Sequence, residues 1–156
     1  MKRSCGILLW KKENNEYYVL LTHFGGPYWE KINEGAWSLQ KGLIEAKEKV
    51  YDAAKRESFE ETNLSLPNTI NYLASKKISN KKLAIIFESY FDGDISNFKS
   101  NTFKVEYPKA SGIIKEYPEM DKIAWFSLED AKRYINKSQL FFINRLETML
   151  KTRNKL

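Results

Sequence analysis

Hydrophobic and polar positions repeat with two different periods along this chain, and the change of period separates strands from helices. CGILLW (5–10) and YYVLLTHF (17–24) are β-rich runs flanking KKENNE, whose Asn14 and Asn15 suit a tight turn, so they predict a hairpin. INYLASKKI (70–78) and KLAIIFESYF (82–91) predict a second hairpin, turning at Ser79 to Lys81. Trp37-Ser38-Leu39 is a short strand and KIAWFS (122–127) a further one. Helical spacing appears from about Lys49 to Thr62. It returns after Ser127, where Glu129 and Asp130 approximate a capping signal, and again over SQLFFINRLETMLK (138–151). In that last stretch Leu140, Ile143, Leu146 and Leu150 form one apolar face, which predicts packing on a sheet. Two segments keep neither period. GGPYWEKINEGAW (25–37) is a breaker-rich loop with two tryptophans, and residues 93–120 read as an irregular surface excursion with one strand at TFKVEY. Strands, a central helix, more strands and terminal helices predict an α/β domain whose sheet carries helices on its faces.

Composition narrows the class. A chain of 156 residues is enough for one filled core, so a single domain over 1–156 is expected. The 42% apolar and 14% aromatic content argues against disorder, and no apolar run approaches the ~20 residues of a membrane span. After the apolar stretch at the N-terminus charges resume at Lys11 without a small-residue cleavage site, which indicates a strand and not a signal peptide. Cys5 is the sole cysteine, so an internal disulfide and a cysteine-ligated zinc are both excluded, and a reducing cytoplasm is the expected setting. The net charge of +6 allows an anionic partner. Because Lys11, Lys12, Lys76, Lys77, Lys81, Lys82, Lys151 and Lys155 are scattered in sequence, solvated surface charge is the preferred reading. No feature specifies an oligomeric state.

One helix does not follow the usual division of faces. At about 100° per residue, Glu60 and Glu61 fall within roughly 60° of Glu57, in the same arc as Val50, Ala53 and Ala54. The acidic side and the apolar side therefore coincide. Like charges at this spacing repel, and partial burial adds a desolvation penalty that pairing or a metal must offset. Carboxylates at i, i+3 and i+4 suit a hard divalent cation that takes oxygen ligands, such as Mg²⁺. A solvated helix balanced by Lys49, Lys55 and Arg56 is the alternative for an isolated ExxEE.

The pattern is not isolated. Gly42, Glu48, Arg56-Glu57, Glu60-Glu61 and Asn63-Leu64 stand at the spacing of G-x5-E-x7-R-E-U-x-E-E-x-G-U, with U apolar, and so resemble the signature of the Nudix hydrolases. Ser58 replaces an aliphatic residue, and Asn63 replaces the glycine that ends the helix, a position asparagine also tolerates. WSLQKG (37–42) resembles the W-x-x-P-K-G that often precedes the signature, with Gln40 for proline. HFGGPYW (23–29), KSNTFKVEYP (99–108) and YPEMDKIAWFSLEDAK (117–132) are similar to segments of a bacterial subgroup of predicted nucleotide pyrophosphohydrolases.

The resemblance implies an α/β/α sandwich with a mixed sheet and hydrolysis of a nucleoside diphosphate linked to a moiety X, with Mg²⁺ or Mn²⁺. The small-molecule substrate would be a nucleoside triphosphate or dinucleoside polyphosphate. Alternatives are removal of pyrophosphate from an RNA 5′ end, with nucleic acid not the favoured partner, and a Nudix module that senses a nucleotide without cleaving it. Carried over, Glu57 and Glu61 are metal ligands, Glu60 is a further ligand or a base orienting water, and the Gly42 carbonyl is another metal contact. Arg56 positions the glutamates, paired with Glu48. Lys41 is a candidate phosphate contact. Glu119, with Glu116 and Asp121 nearby, is a candidate extra base or simply a surface acid. His23 either touches a phosphate or is a structural histidine. Trp29 and Tyr28 either stack on a nucleobase or close the core beneath Gly25 and Gly26.

Overall fold

The structure, a computed structural model, describes residues 1–154, so Lys155 and the end of the expected 1–156 domain lie outside the described residues. The first two strands, β1 (Lys2–Glu13) and β2 (Glu16–Phe24), form the expected hairpin. Asn14 and Asn15 turn it at φ 53° and 64°, left-handed values that asparagine tolerates better than other non-glycine residues. The two strands pair from Trp10↔Val19 to Glu13↔Glu16 and then part. The next chain segment fills the wedge, with β3 (Trp37–Ser38) on β2 and β4 (Gln40–Leu43) on β1.

Helix α1 (Val50–Thr62) follows, and then the second hairpin, β5 (Asn71–Ser79) and β6 (Lys82–Tyr90). β6 lies parallel to β1 over its whole length, from Lys2↔Lys82 to Trp10↔Tyr90. Residues 93–120 are more ordered than expected: β7 (Thr102–Glu106) and β8 (Ile114–Pro118) make a separate two-stranded antiparallel arm. β9 (Met120–Ser127) returns to pair with β2 and complete a seven-stranded mixed sheet. The chain ends in α2 (Leu128–Tyr134), a 3₁₀ turn (Lys137–Gln139) and α3 (Leu140–Asn154). The α2 cap is the predicted one, Ser127 Oγ accepting from the Asp130 amide.

Alternation along β1 decides what covers each face. Cys5, Ile7 and Leu9 point to the side of α1, where they meet Ala53, Ala54, Leu64 and Phe87. Leu8 points to the other side, where Ile143, Leu146 and Leu150 of α3 and Ala131 of α2 pack with Trp37 and Ile86. Each aliphatic side chain removed from water there contributes about 1.5–3 kcal/mol, enough to dock α3 without help from its propensity. The sheet thus has helices on both faces, as the α/β/α reading requires. Leu140 is only half-buried, at the margin of the face it was expected to share. Among the described residues no helix is long and apolar enough to cross a membrane.

Candidate active site

The residues of α1 that face the sheet are small. Ala53, Ala54 and Ser58 are fully buried, and their short side chains let the helix come down close to β1 and β4. Ser58, the departure from an aliphatic residue, aims its hydroxyl at the Gln40 carbonyl of β4 at 3.4 Å, a weak contact that nonetheless gives the buried oxygen a direction. Asn63 ends the helix at φ 59°, its amide donating to the Phe59 carbonyl at 2.7 Å, so the glycine substitute keeps the left-handed cap.

This close approach brings β4 beneath the acids. The Lys41 amide donates to Glu61 Oε1 at 3.0 Å, and Glu61 is only 6% exposed. Gly42 lies directly under Glu57: a β-carbon there would stand 1.8 Å from Glu57 Oε2, so any larger residue would push the carboxylate out of this position. Gly6 of β1, opposite Lys41, has the corresponding role between strands. A β-carbon on it would meet the Gln40 carbonyl oxygen at 2.0 Å and the Lys41 β-carbon at 2.6 Å.

Arg56 organises the outer side of the group. Its Nε and Nη2 hold Glu48 in a two-pronged pair at 2.7 and 2.8 Å, and Nη1 reaches Glu57 at 2.7 Å and Glu60 at 3.2 Å. Nη2 also donates to the Leu43 carbonyl at 3.1 Å, which ties the end of β4 to the helix. These hydrogen bonds, those to Glu48 foremost, hold the guanidinium charged more firmly than usual. Lysine could not reproduce this planar fork. Arg56→Lys is therefore expected to keep the fold and lower kcat/KM by roughly 10–100-fold, measured with melting temperature as the control.

The remaining charges are not balanced. Burial pushes the Glu61 carboxyl up to about 8 against the pull of the Lys41 amide, with the charges of Glu119 and Glu57 adding to the rise. Burial also raises Glu57, opposed by Arg56 and assisted by Glu60 and Glu119. Glu119, at the foot of the β7–β8 arm, keeps much of its surface in water but is raised by partial desolvation and then by the charge of Glu60. Glu57, Glu61 and Glu119 are thus each raised in part by the charge of a neighbouring acid, and Arg56 is already shared with Glu48. Among the described residues no three His, Cys, Asp or Glu side chains are gathered as a ready-made cage, and Arg56 holds Glu57 and Glu60. The donor set nevertheless fits a hard divalent cation: all its members are carboxylates, and they carry more negative charge than Arg56 neutralises. Cys5, buried under the group, is pushed up to about 12, first by burial and then by Glu57, so it stays an unreactive thiol.

The raised Glu61 sets a pH dependence. The folded chain holds the Glu61 proton up to about pH 8, whereas an unfolded glutamate releases it near 4.5. Between those values the folded state binds more protons, so in the absence of metal its stability falls as pH rises from 4.5 to 8 and changes no further through this group above 8. Thermal melts in chelator across that range are expected to show this slope, and Glu61→Gln is expected to flatten it.

The other expected residues are distributed more widely. His23 is 1% exposed. Its Nδ1 lies 2.7 Å from Asp121 Oδ1, its Nε2 lies 2.6 Å from the Ile32 carbonyl, and its ring meets Trp37 edge-on. Both nitrogens are engaged, which corrects the phosphate-contact reading: His23 joins the 25–37 loop to β9. Asp121 is its partner, and Glu116 lies exposed on β8. The Trp29 ring is half-buried and tilted against Phe24 at 4.8 Å, whereas Tyr28 is exposed and meets Tyr107 of the arm edge-on at 5.6 Å. Lys41 is half-buried, its ammonium lowered by burial and then by the charge of Lys82.

A connection that sequence reasoning missed runs through Asn101. Its amide donates to the Glu60 carbonyl at 3.0 Å and its carbonyl accepts from the Glu119 amide at 2.7 Å, so it fixes Glu119 relative to the end of α1. Nothing in the polar stretch around it marks such a role.

A model of the NUDIX domain matches residues 2–145. The chain belongs to the Nudix family. With the carboxylates of the signature in place, the chain is a Nudix pyrophosphohydrolase. No curated protein sequence matches it significantly. Solved structures share the Nudix fold at low identity. An Ap4A hydrolase of C. elegans, in a binary complex, is 18% identical with a TM-score of 0.67, over 97% of this chain and 99% of that one. The NUDIX domain of Shewanella oneidensis NrtR, complexed with ADP ribose, is 15% identical with a TM-score of 0.67, over 95% and 87%. A MutT protein from Methanosarcina mazei is 22% identical with a TM-score of 0.59, over 96% and 95%.

Proposed function

We propose that this Nudix enzyme is a divalent-metal-dependent hydrolase that cleaves a pyrophosphate bond in a nucleoside diphosphate linked to X, with a nucleoside triphosphate or dinucleoside polyphosphate as substrate. The observation that carries this reading is the set of carboxylates that α1 presents to β4, with Glu57 seated over Gly42, Glu57 and Glu60 held by Arg56, and Glu61 buried on the Lys41 amide. The Ap4A hydrolase and the ADP ribose complex among the structural relatives accord with a small nucleotide partner. The outer segments that resemble the bacterial subgroup support the same class, in a cytoplasmic protein whose whole chain is one Nudix domain.

Glu57, Glu61 and Glu60, with the Gly42 carbonyl, are the groups that would hold Mg²⁺ or Mn²⁺. When bound, the cation neutralises the pyrophosphate charge and makes a water molecule acidic enough to attack. The chain supplies the rest. Arg56, anchored on Glu48, keeps Glu57 and Glu60 in place, and the Lys41 amide orients Glu61. Glu119 is the candidate base, because its raised carboxyl lies nearer to neutrality than a solvated glutamate and can take a proton from the attacking water. Lys41 and Trp29 remain the candidates for contact with phosphate and base. The test is release of phosphate and nucleotide from nucleoside triphosphates, nucleotide sugars, dinucleoside polyphosphates and 5′-triphosphorylated RNA, with Mg²⁺ or Mn²⁺. Cleavage of one class that is lost in Glu57→Gln supports the reading. No cleavage, together with tight binding of a nucleotide, makes the protein a sensor instead.

A further inference from the structure

The single histidine of the chain is buried and lies outside the carboxylate group, yet it is held between two atoms that can only accept a hydrogen bond. His23 Nδ1 lies 2.7 Å from a carboxylate oxygen of Asp121, and Nε2 lies 2.6 Å from the backbone carbonyl oxygen of Ile32. A neutral imidazole carries one N–H, so its other nitrogen would turn a lone pair toward an oxygen lone pair at hydrogen-bond distance. Only the imidazolium donates from both nitrogens to two acceptors. Both contacts are also short, as charge-assisted hydrogen bonds are.

The elements around the ring supply the opposing charge. Asp121 of β9 keeps 27% of its side chain exposed, so water solvates part of the carboxylate while one oxygen turns inward. Glu30 of the 25–37 loop lines the same cleft as Asp121. Lys122, the like charge opposite His23 on β9, is exposed, and Arg133 of α2 is paired with Glu34. β3 presents the uncharged Trp37 ring, edge-on at 5.2 Å.

The place of this pair in the fold gives it a use. β9 pairs evenly with β2 from Ser127 to Lys122, and then the register shifts: Lys122 stands opposite His23 and Met120 opposite Phe24, which leaves Asp121 as the extra residue of a bulge. A bulged residue has no ladder partner of its own, so something else must fix it. Here His23 grips it. Glu119 lies two residues before, its carbonyl accepting from the Gly25 amide at 2.8 Å and its amide donating to the Asn101 carbonyl at 2.7 Å. The 25–37 loop is thus tied to the start of β9 twice, by Gly25 at Glu119 and by His23 between Ile32 and Asp121. The approach is close, since a β-carbon on Gly25 would stand 2.0 Å from the Pro118 carbonyl oxygen. Loss of the grip at Asp121 frees one side of this junction, and Glu119 shifts with it.

We propose that His23 is a doubly protonated latch that fixes the β9 bulge against the 25–37 loop and thereby positions Glu119 for the reaction. His23 touches no reacting atom, so it is a positioning residue. Its effect on the reaction rests on Glu119 acting as the base, whereas the two protons on its ring rest on the hydrogen-bond partners alone.

Because the full chain contains one histidine, a long-range proton–nitrogen correlation spectrum of the ¹⁵N-labelled protein shows one imidazole ring. At pH 7 in chelator both ring nitrogens are expected to carry protons, and a spectrum with one bare nitrogen overturns the latch. Asp121→Asn keeps the size of the side chain but offers an amide that both donates and accepts, so in this variant the ring is expected to give up one proton. Its kcat is expected to fall roughly 10–100-fold with KM little changed. In Glu119→Gln, where the base is already gone, adding Asp121→Asn is expected to change kcat by less than about twofold. His23→Gln is the second variant, with the same expected loss and the same absence of further loss beside Glu119→Gln. An equal loss in both backgrounds, or an unchanged kcat in folded Asp121→Asn, overturns the positioning of Glu119. If the wild type cleaves none of the nucleotides, the hydrolase reading fails and the ring spectrum still decides the latch.

Discussion

Replacing Glu57 with glutamine is expected to abolish hydrolysis while leaving the protein folded and no less stable. The substitution keeps the shape that fills the space over Gly42, and the amide oxygen still accepts from Arg56 Nη1. What disappears is a negative charge that burial, Glu60 and Glu119 all oppose. Removing it relieves repulsion in the metal-free protein, so the melting temperature in chelator should stay level or rise. A charge that stabilises a metal-assisted transition state is worth several kcal/mol, and ~4 kcal/mol corresponds to about 10³-fold in rate. Stability and activity therefore move in opposite directions, which a purely structural glutamate would not produce. Activity within tenfold of wild type would remove Glu57 from the catalytic group.

Gly6→Ala is expected to have the largest effect on the fold for the smallest change in mass. Its added methyl would stand 2.0 Å from the Gln40 carbonyl oxygen and 2.7 Å from the Lys41 α-carbon, and backbone atoms cannot swing aside as a side chain can. β4 must lift away from β1, giving up the pairing from Ser4↔Leu43 to Ile7↔Gln40. Overpacking of this kind costs about 3 kcal/mol, or roughly 10 °C in melting temperature for a chain of this size. The same movement withdraws Gly42 from Glu57 and the Lys41 amide from Glu61, so activity should fall together with stability. Calorimetry and amide exchange along residues 40–43 measure the two parts. An unchanged melting temperature would show that β4 can shift without loss.

Much of the site was legible in sequence because it is written within a single helix. Glu57, Glu60, Glu61 and Arg56 lie within two turns, so their common face follows from helical geometry alone. Ala53 and Ala54, which allow the helix to approach the sheet, belong to the same arc. The two hairpins were equally plain, since each brings together neighbouring runs across a short turn. The β7–β8 arm is largely illegible in sequence because Pro108, Gly112 and the charged Lys115 and Glu116 hide its second strand from any period-two pattern. His23 is ambiguous in sequence, since one of its partners, Asp121, reaches it only once β9 has paired with β2, and the other is a backbone carbonyl of an irregular loop.

The sequence by itself determined the carboxylate helix, its arginine and its left-handed end, because helix spacing converts residue numbers directly into directions in space. Only the tertiary structure decided that Gly6 must be small, that Asn101 links Glu60 to Glu119, and that Lys2 stands beside Lys82. Each of these depends on pairing between strands far apart in the chain. Such pairings are selected by the packing of both sheet faces together, which no local pattern of residues records.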